Sequence, residues 1–382
     1  MNILIASGVP KRREGGVAAI IYNLGGELER LGHRVTYLFL DDLMTPGEGA
    51  SRFSEATFAF RLARYVAQNR AKFSVVNLHA PTGFVYGMRR RWLGRRSDPP
   101  YVMTLHGLEE RRVHAMKREA KKGRARNFGW KNRLWHRVYH APRFRWSIRT
   151  ADAAHVFSRD VSTILQLKYD LGAERVAYIP NGVDRRFFVP RTYDAKGGVR
   201  LLYAGTWLEQ RGIFYLREAL RKAAARVPGL TMTFAGPGVP SEEILRFFGG
   251  ELAPRIFVRE AVQAERMQEL YAEHDVFVFP SLVEGLPNVL MEAMATGMPV
   301  ITTETCGMTD ILESGYSGVL IPPADAATLE DAILRLANCE ELRRTLGTAA
   351  REAMQRFTWE RTAKMVEALF KRTLIAQGRT AE

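Results

Sequence analysis

Short apolar, β-branched runs alternate along this chain with longer segments whose apolar positions recur at helical spacing, and the alternation runs twice. In the first half the pattern predicts strands at Asn2 to Ala6, Arg34 to Leu40, Ser74 to Leu78, Tyr101 to Leu105, Ala153 to Phe157 and Val176 to Ile179. A polar stretch, R-T-Y-D-A-K-G-G, follows Pro190. The pattern then restarts, with strands at Val199 to Ala204, Leu230 to Ala235, Arg255 to Val258, Asp275 to Pro280, Pro299 to Thr302 and Val319 to Ile321. Helices are expected over Ala326 to Asn338, over Glu340 to Arg356 and from about Thr358. Strands separated by helices imply parallel sheets covered by helices on both faces. The expected fold class is α/β, with two Rossmann-like, doubly wound domains spanning 1–190 and 198–357.

Length agrees with this division, since 382 residues exceed what one hydrophobic core usually supports. Cys306 and Cys339 are too few for a zinc site or a disulfide framework and point to a reducing compartment. No apolar run is long enough to cross a bilayer. The start, M-N-I-L-I-A-S, lacks a basic leader region and reads as a first buried strand, so a cytoplasmic location is expected.

The chemistry concentrates in F-P-S-L-V-E-G-L-P-N-V-L-M-E-A-M-A-T-G-M-P-V, residues 279–300. An apolar strand ends here and a helix is expected to open near Pro287, a residue favoured at the first helical position. Such a helix start offers free amides and the positive end of its dipole to an anion, most naturally a phosphate. Glu284 precedes the helix start, and Glu292 lies four residues after Asn288 on the same face, one turn deeper. A diphosphate at the helix mouth would have a carboxylate on either side, each able to accept hydrogen bonds from hydroxyls. Solvated glutamates beside a packing helix are the alternative that spacing alone leaves open.

The letters E-G-L-P-N-V-L-M-E-A-M-A-T-G-M-P-V-I-T resemble the signature of the retaining nucleotide-sugar transferases of glycosyltransferase family 4, which have the two-domain GT-B fold. The resemblance extends from Gly15-Gly16 to the helix after Trp359. It implies two domains facing each other across a cleft, with a terminal helix, about 358–376, crossing back to the first. By the same resemblance the first domain binds the acceptor and the second the donor. Glu284, Gly285, Leu286, Asn288, Val289, Leu290 and Glu292 would line the donor site, with Glu284 on the sugar hydroxyls and Glu292 on the ribose.

Three further stretches map onto the family pattern. Gly15 and Gly16 follow the first strand, where glycine permits close approach of backbone to an anion. A plain loop pair is the alternative. In G-T-W-L-E-Q-R-G, Gly205 to Gly212, the family pattern G-R-x-x-x-x-K-G keeps its second cation as Arg211 but has Thr206 in place of the first. Arg211 can grip a phosphate in bidentate fashion and is expected to matter more than its usual counterpart. His106, in T-L-H-G-L-E, occupies a position where family members carry a histidine reaching the donor sugar and its phosphate. His79 is a candidate for the acceptor side, and His155 reads as a sheet residue without a chemical role.

The resemblance implies retention at the anomeric carbon by a same-face route, in which the departing phosphate oxygen takes the acceptor's proton. Catalysis would then be largely electrostatic, from Arg211 and the amides of Asn288, Val289 and Leu290. No D-x-D occurs, and no obligatory cofactor or metal is expected. The donor would be a UDP- or GDP-sugar.

Charge adds a partner. The chain has 56 Lys plus Arg against 41 Asp plus Glu, a formal net charge of +15. Residues 85–150 hold nineteen of those cations and four of the acids, so they account for the whole excess and the remainder balances. Aromatics are interleaved, as in F-G-W-K-N-R-L-W-H-R-V-Y-H. Cations among aromatic rings suit the headgroup layer of an anionic membrane. Lys117, Arg118, Lys121, Lys122, Arg124, Arg126, Trp130 and Trp135 are the candidate contacts, which predicts a peripheral protein at the cytosolic face acting on a lipid-linked or envelope glycan. The alternatives are a solvated basic face, a same-fold enzyme with a soluble acceptor, a nucleotide-sugar epimerase, and a non-enzymatic nucleic-acid-binding protein. No recognised nucleic-acid module accompanies the basic segment, so nucleic acid is not the expected partner.

Overall fold

The computed structural model describes residues 1–11, 16–45, 48, 53–94, 98–125, 128–193 and 198–380. The chain forms two compact units. Met1–Glu110, Gly129–Gly182 and Trp359–Glu382 make the first, and Arg111–Phe128 with Val183–Thr358 make the second.

The first unit holds β1 (Asn2–Ala6), β2 (Arg34–Leu38), β3 (Val75–His79), β4 (Tyr101–Leu105), β5 (Ala153–Val156) and β6 (Val176–Tyr178). They form one parallel sheet in the order β2-β1-β3-β4-β5-β6. The second unit holds β7 (Arg200–Ala204), β8 (Thr231–Ala235), β9 (Ile256–Arg259), β10 (Val276–Phe279), β11 (Val300–Thr303) and β12 (Val319–Ile321), in the order β12-β11-β10-β7-β8-β9, also parallel. Every strand expected from the sequence is present, with ends moved by no more than a residue or two.

Burial explains why the apolar runs were continuous rather than alternating. Helices cover both faces of an inner parallel strand, so all its side chains are buried. Ile3, Leu4, Ile5 and Ala6 of β1 and Val276 to Phe279 of β10 behave in this way. The edge strands β2, β9 and β12 are only partly covered. In the first unit Leu4, Val76, Met103 and Ala154 supply one layer of the core, against Phe58, Leu62 and Tyr86 from the helices.

The C-terminal helix, Trp359–Ala376, belongs to the first unit. Its buried residues Thr362, Ala363, Val366, Leu369, Phe370, Thr373 and Leu374 follow helical spacing and form a single stripe. His33 Nε2 lies 3.0 Å from Glu367, and Thr362 Oγ1 donates to the Pro180 carbonyl at 2.9 Å.

The unit boundaries differ from the sequence expectation in two ways. The second unit begins at Val183, whose amide donates to the Phe357 carbonyl at 2.8 Å, rather than after the polar stretch beyond Pro190. Arg111–Phe128, expected in the first domain, joins the second unit. The physical reason is a buried polar contact, in which Tyr215 Oη donates to the buried carboxylate of Glu119 at 2.8 Å, and the exposed Lys122 adds to it by donating Nζ to Tyr215 Oη at 2.7 Å. The Arg124 guanidinium stands over the Tyr215 ring at 4.8 Å.

Candidate functional site

In a doubly wound sheet, ligands bind outside the carboxyl ends of the strands where the winding reverses. In the second unit β8 and β9 lie to one side of β7, and β10, β11 and β12 to the other, so the reversal falls between β7 and β10. The loops leaving those two strands carry the expected motifs, and they are stitched together. The Leu282 amide donates to the Gln210 carbonyl at 2.8 Å, and the buried Ser281 Oγ donates to the same carbonyl at 3.2 Å. Gly212 closes the first loop in a left-handed conformation, φ +76°, with the Pro280 carbonyl standing where a Cβ would have to go. Only glycine fits such an approach.

This stitching brings Arg211 to Glu284. Arg211 Nη1 forms an ion pair with Glu284 Oε1, the two side chains being only 19% and 13% exposed. The guanidinium lies 5.1 Å over the Phe279 ring, and Ser281 Oγ is 3.5 Å from Glu284 Oε1. Burial pulls the Arg211 pKa down from its ordinary value. Thr206 is exposed, and its carbonyl accepts from Tyr203 Oη at 3.0 Å. Gly205, at the end of β7, has φ +130°.

The helix after β10 runs Asn288–Ala295, with Pro287 in extended geometry just before it rather than within its first turn. Leu290, counted among the anion-binding amides, already donates its N–H to the Pro287 carbonyl at 3.2 Å. Gly285 is held from behind, its carbonyl accepting from the Gly307 amide at 2.9 Å, and Leu286 is buried. Glu292 is half-buried and accepts a hydrogen bond from Tyr271 Oη at 2.9 Å. Burial raises the Glu292 pKa above the ordinary carboxylate value, partly offset by that hydrogen bond.

In the first unit the reversal falls between β1 and β3. The helix Gly16–Arg30 starts after β1, with Gly16 at φ +58°; Gly15 lies outside the described residues. His79 ends β3 and His106 follows β4. Their rings meet, with His79 Nδ1 2.7 Å from His106 Nε2, and His106 stacks on Phe157 at 5.0 Å. Burial pushes the His106 pKa down to about 3 and that of His79 well below its ordinary value. His155 lies inside β5 and gives Nε2 to the Ile179 carbonyl at 2.8 Å, a sheet residue as expected.

Residues 14–187 match the model of the family described as Glycosyltransferase Family 4, and residues 198–339 match that of Glycosyl transferases group 1. The chain belongs to the family-4 glycosyltransferases. It is 28% identical over 232 residues to the sulfoquinovosyl transferase SQD2 of Arabidopsis thaliana, a match spanning 56% of this chain and 44% of that relative. Sucrose-phosphate synthase from Thermosynechococcus elongatus superposes with a TM-score of 0.78 at 21% identity, over 98% of this chain and 99% of that one. HepE from Anabaena, solved with UDP-glucose, superposes with a TM-score of 0.68 at 18% identity, over 97% and 99%. The fold is GT-B.

Several contacts in this family-4 protein were not foreseen. Phe279 and Ser281 stand inside the F-P-S segment, where a polar residue at a strand's carboxyl end is a usable signal. Tyr271 lies on the helix Met267–Glu273, where its position reads as ordinary core, and only the fold brings it to Glu292.

The basic residues divide. Lys117, Arg118, Lys121 and Lys122 are exposed, although Lys122 is also tied to Tyr215, and Arg124 lies 3.8 Å from Glu218, all within the second unit. Arg126 lies outside the described residues. Trp130 is 64% exposed, while Trp135 stacks on Tyr139 at 4.3 Å. Arg90 is fully buried against Asp152, so part of the basic count holds the first unit together rather than facing a partner.

Proposed function

We propose that the protein is a retaining, metal-independent glycosyltransferase that moves a sugar from a UDP- or GDP-sugar to a lipid-linked or envelope glycan. The observation that carries the reading is the meeting of Arg211 and Glu284 at the β7/β10 reversal, with Glu292 one turn into the helix that follows. A guanidinium, two carboxylates and a helix start supply a cation and an amide for a diphosphate, and acceptors for sugar and ribose hydroxyls. The binding of UDP-glucose by a GT-B neighbour favours the same ligand class.

In the proposed reaction the acceptor hydroxyl oxygen bonds to the anomeric carbon as the carbon–oxygen bond to the diphosphate breaks. The acceptor's proton passes to the departing phosphate oxygen on the same face, so configuration is kept. Arg211 and the amides of Asn288 and Val289 stabilise the charge growing on the diphosphate, Glu284 orients the sugar, Glu292 binds the ribose and His106 contacts the sugar or its phosphate. Gly16, with its left-handed φ of +58°, would let the backbone approach the diphosphate. A thermal-shift panel of UDP-, GDP- and ADP-sugars identifies the donor, since a ligand of the folded state raises the melting temperature. Turnover of that donor in EDTA, followed by the anomeric signal of the product, tests the rest. Inversion, or a strict need for a divalent ion, counts against the mechanism.

The membrane reading rests on the helical run Trp130–Thr150 in the first unit. Trp130, Leu134 and Val138 follow one another at four-residue spacing and are 64%, 52% and 61% exposed, with exposed Lys131, Arg133 and Arg137 beside them. Exposed apolar side chains flanked by cations are what an interfacial helix presents to anionic lipid at the cytosolic face. No helix among the described residues is long and apolar enough to cross a membrane. Co-sedimentation with phosphatidylglycerol vesicles should be lost on replacing Trp130, Leu134 and Val138 with serine and should weaken with salt. No binding by the parent protein would leave a soluble acceptor as the better reading, and binding indifferent to both would mean that another surface meets the lipid.

A further inference from the structure

We propose that His79 is a positioning residue that fixes the proton of His106 on Nδ1, so that His106 offers an N–H donor to the sugar or phosphate of the bound nucleotide sugar. The inference rests on the proposed function for the identity of that ligand, and on the geometry of the first unit for the rest.

His79 Nδ1 and His106 Nε2 are 2.7 Å apart, with ring centroids 4.8 Å apart and planes 35° from parallel. At that distance two imidazole nitrogens share one proton: one donates and the other accepts. The stack of His106 on Phe157, at 5.0 Å and 28°, holds its ring in place. Burial keeps both rings neutral near pH 7, so each carries a single proton.

Two arrangements satisfy the contact. If His106 donates from Nε2, His79 must carry its own proton on Nε2, an atom buried without a partner. If His79 donates from Nδ1, the same buried atom is a bare lone pair. Buried N–H groups without an acceptor are rarer than under-used acceptors, so the second arrangement is preferred. His106 Nε2 is then the acceptor and the proton of His106 sits on Nδ1, because the bond made by one imidazole nitrogen decides the state of the other. His79 is 1% exposed, so it acts on the ligand only through His106.

Long-range proton–nitrogen correlation spectra of the nitrogen-15-labelled protein read the tautomer directly, with His106 assigned by its absence in His106→Gln. The Nδ1–H pattern is expected for His106 in the free protein, and Nε2–H overturns the proposal. His79→Asn supplies the rescue arm, since its amide can donate from close to the position of Nδ1, whereas His79→Leu cannot. Asparagine should keep the His106 pattern and hold kcat/KM within about threefold of the parent. Leucine should scramble the pattern and cost roughly tenfold, the scale of one lost hydrogen bond. Thermal unfolding of both variants shows that they are folded, and asparagine as damaging as leucine refutes the role. The spectrum requires no turnover, so a failure here and a failure of the glycosyl-transfer reading are seen separately.

Discussion

Glu284→Gln should tighten the binding of a free nucleoside diphosphate while reducing transfer. The Arg211 guanidinium is committed to Glu284, so a diphosphate must compete with that carboxylate for its cation. Glutamine keeps the shape and removes the charge. Two unit charges about 4 Å apart interact by about 4 kcal/mol at an effective dielectric constant of 20, and exposed pairs are worth about 1 kcal/mol or less. With side chains 19% and 13% exposed, this pair falls between those limits. Losing the competition should therefore return about 1.4 kcal/mol to the ligand, or roughly tenfold in Kd. Transfer should fall because the carboxylate proposed to hold the sugar hydroxyls is gone. Isothermal titration with UDP and GDP, which carry no sugar, isolates the first effect. An unchanged or weaker Kd in Glu284→Gln would refute the reasoning, since it would mean that Arg211 is not the group the diphosphate recruits.

Arg211→Ala should lower kcat/KM by more than about tenfold, with partial recovery when Thr206→Arg is added, as read from steady-state kinetics of the single and double variants. Gly212→Ala should destabilise the second unit by at least about 2 kcal/mol in urea titrations, because a left-handed alanine alone costs about 1–2 kcal/mol and its Cβ would also displace the Pro280 carbonyl. Acid should weaken the first unit through its buried histidines. His106 and His155 have folded pKa values near 3 and near 4, so the unfolded chain binds more protons below its ordinary histidine value of 6.5. The stability present above pH 6.5 is lost as pH falls, by at most roughly 2 kcal/mol for each histidine at pH 5, and chemical denaturation at pH 7.5 and pH 5 measures it. Tyr271→Phe should weaken nucleotide binding by a few-fold, since Glu292 loses the hydroxyl that offsets its burial; titration with free UDP and GDP reads this.

The sequence by itself determined the two parallel sheets and the segment that carries the chemistry. Strands buried on both faces write themselves as unbroken apolar runs, and helices as a repeating stripe, so Asn2–Ala6, Val276–Phe279 and Trp359–Ala376 were legible without any contact being known. The glutamates of 284 and 292 and the glycine-bounded loop ending at Gly212 were legible because their spacing is local to one turn and one helix start. What tertiary structure decided are the partnerships between distant segments. Arg211 meets Glu284 because Gln210 is stitched to Ser281 and Leu282, Tyr271 meets Glu292 across two elements, and His79 meets His106 because β3 and β4 are neighbours in the sheet. Arg111–Phe128 reads as part of a basic first domain, yet Glu119 and Lys122 find Tyr215 in the second unit. Periodicity reports which face of an element is covered; it carries no information on which remote side chain covers it, and a buried polar group takes its partner from whatever the fold places within hydrogen-bond reach.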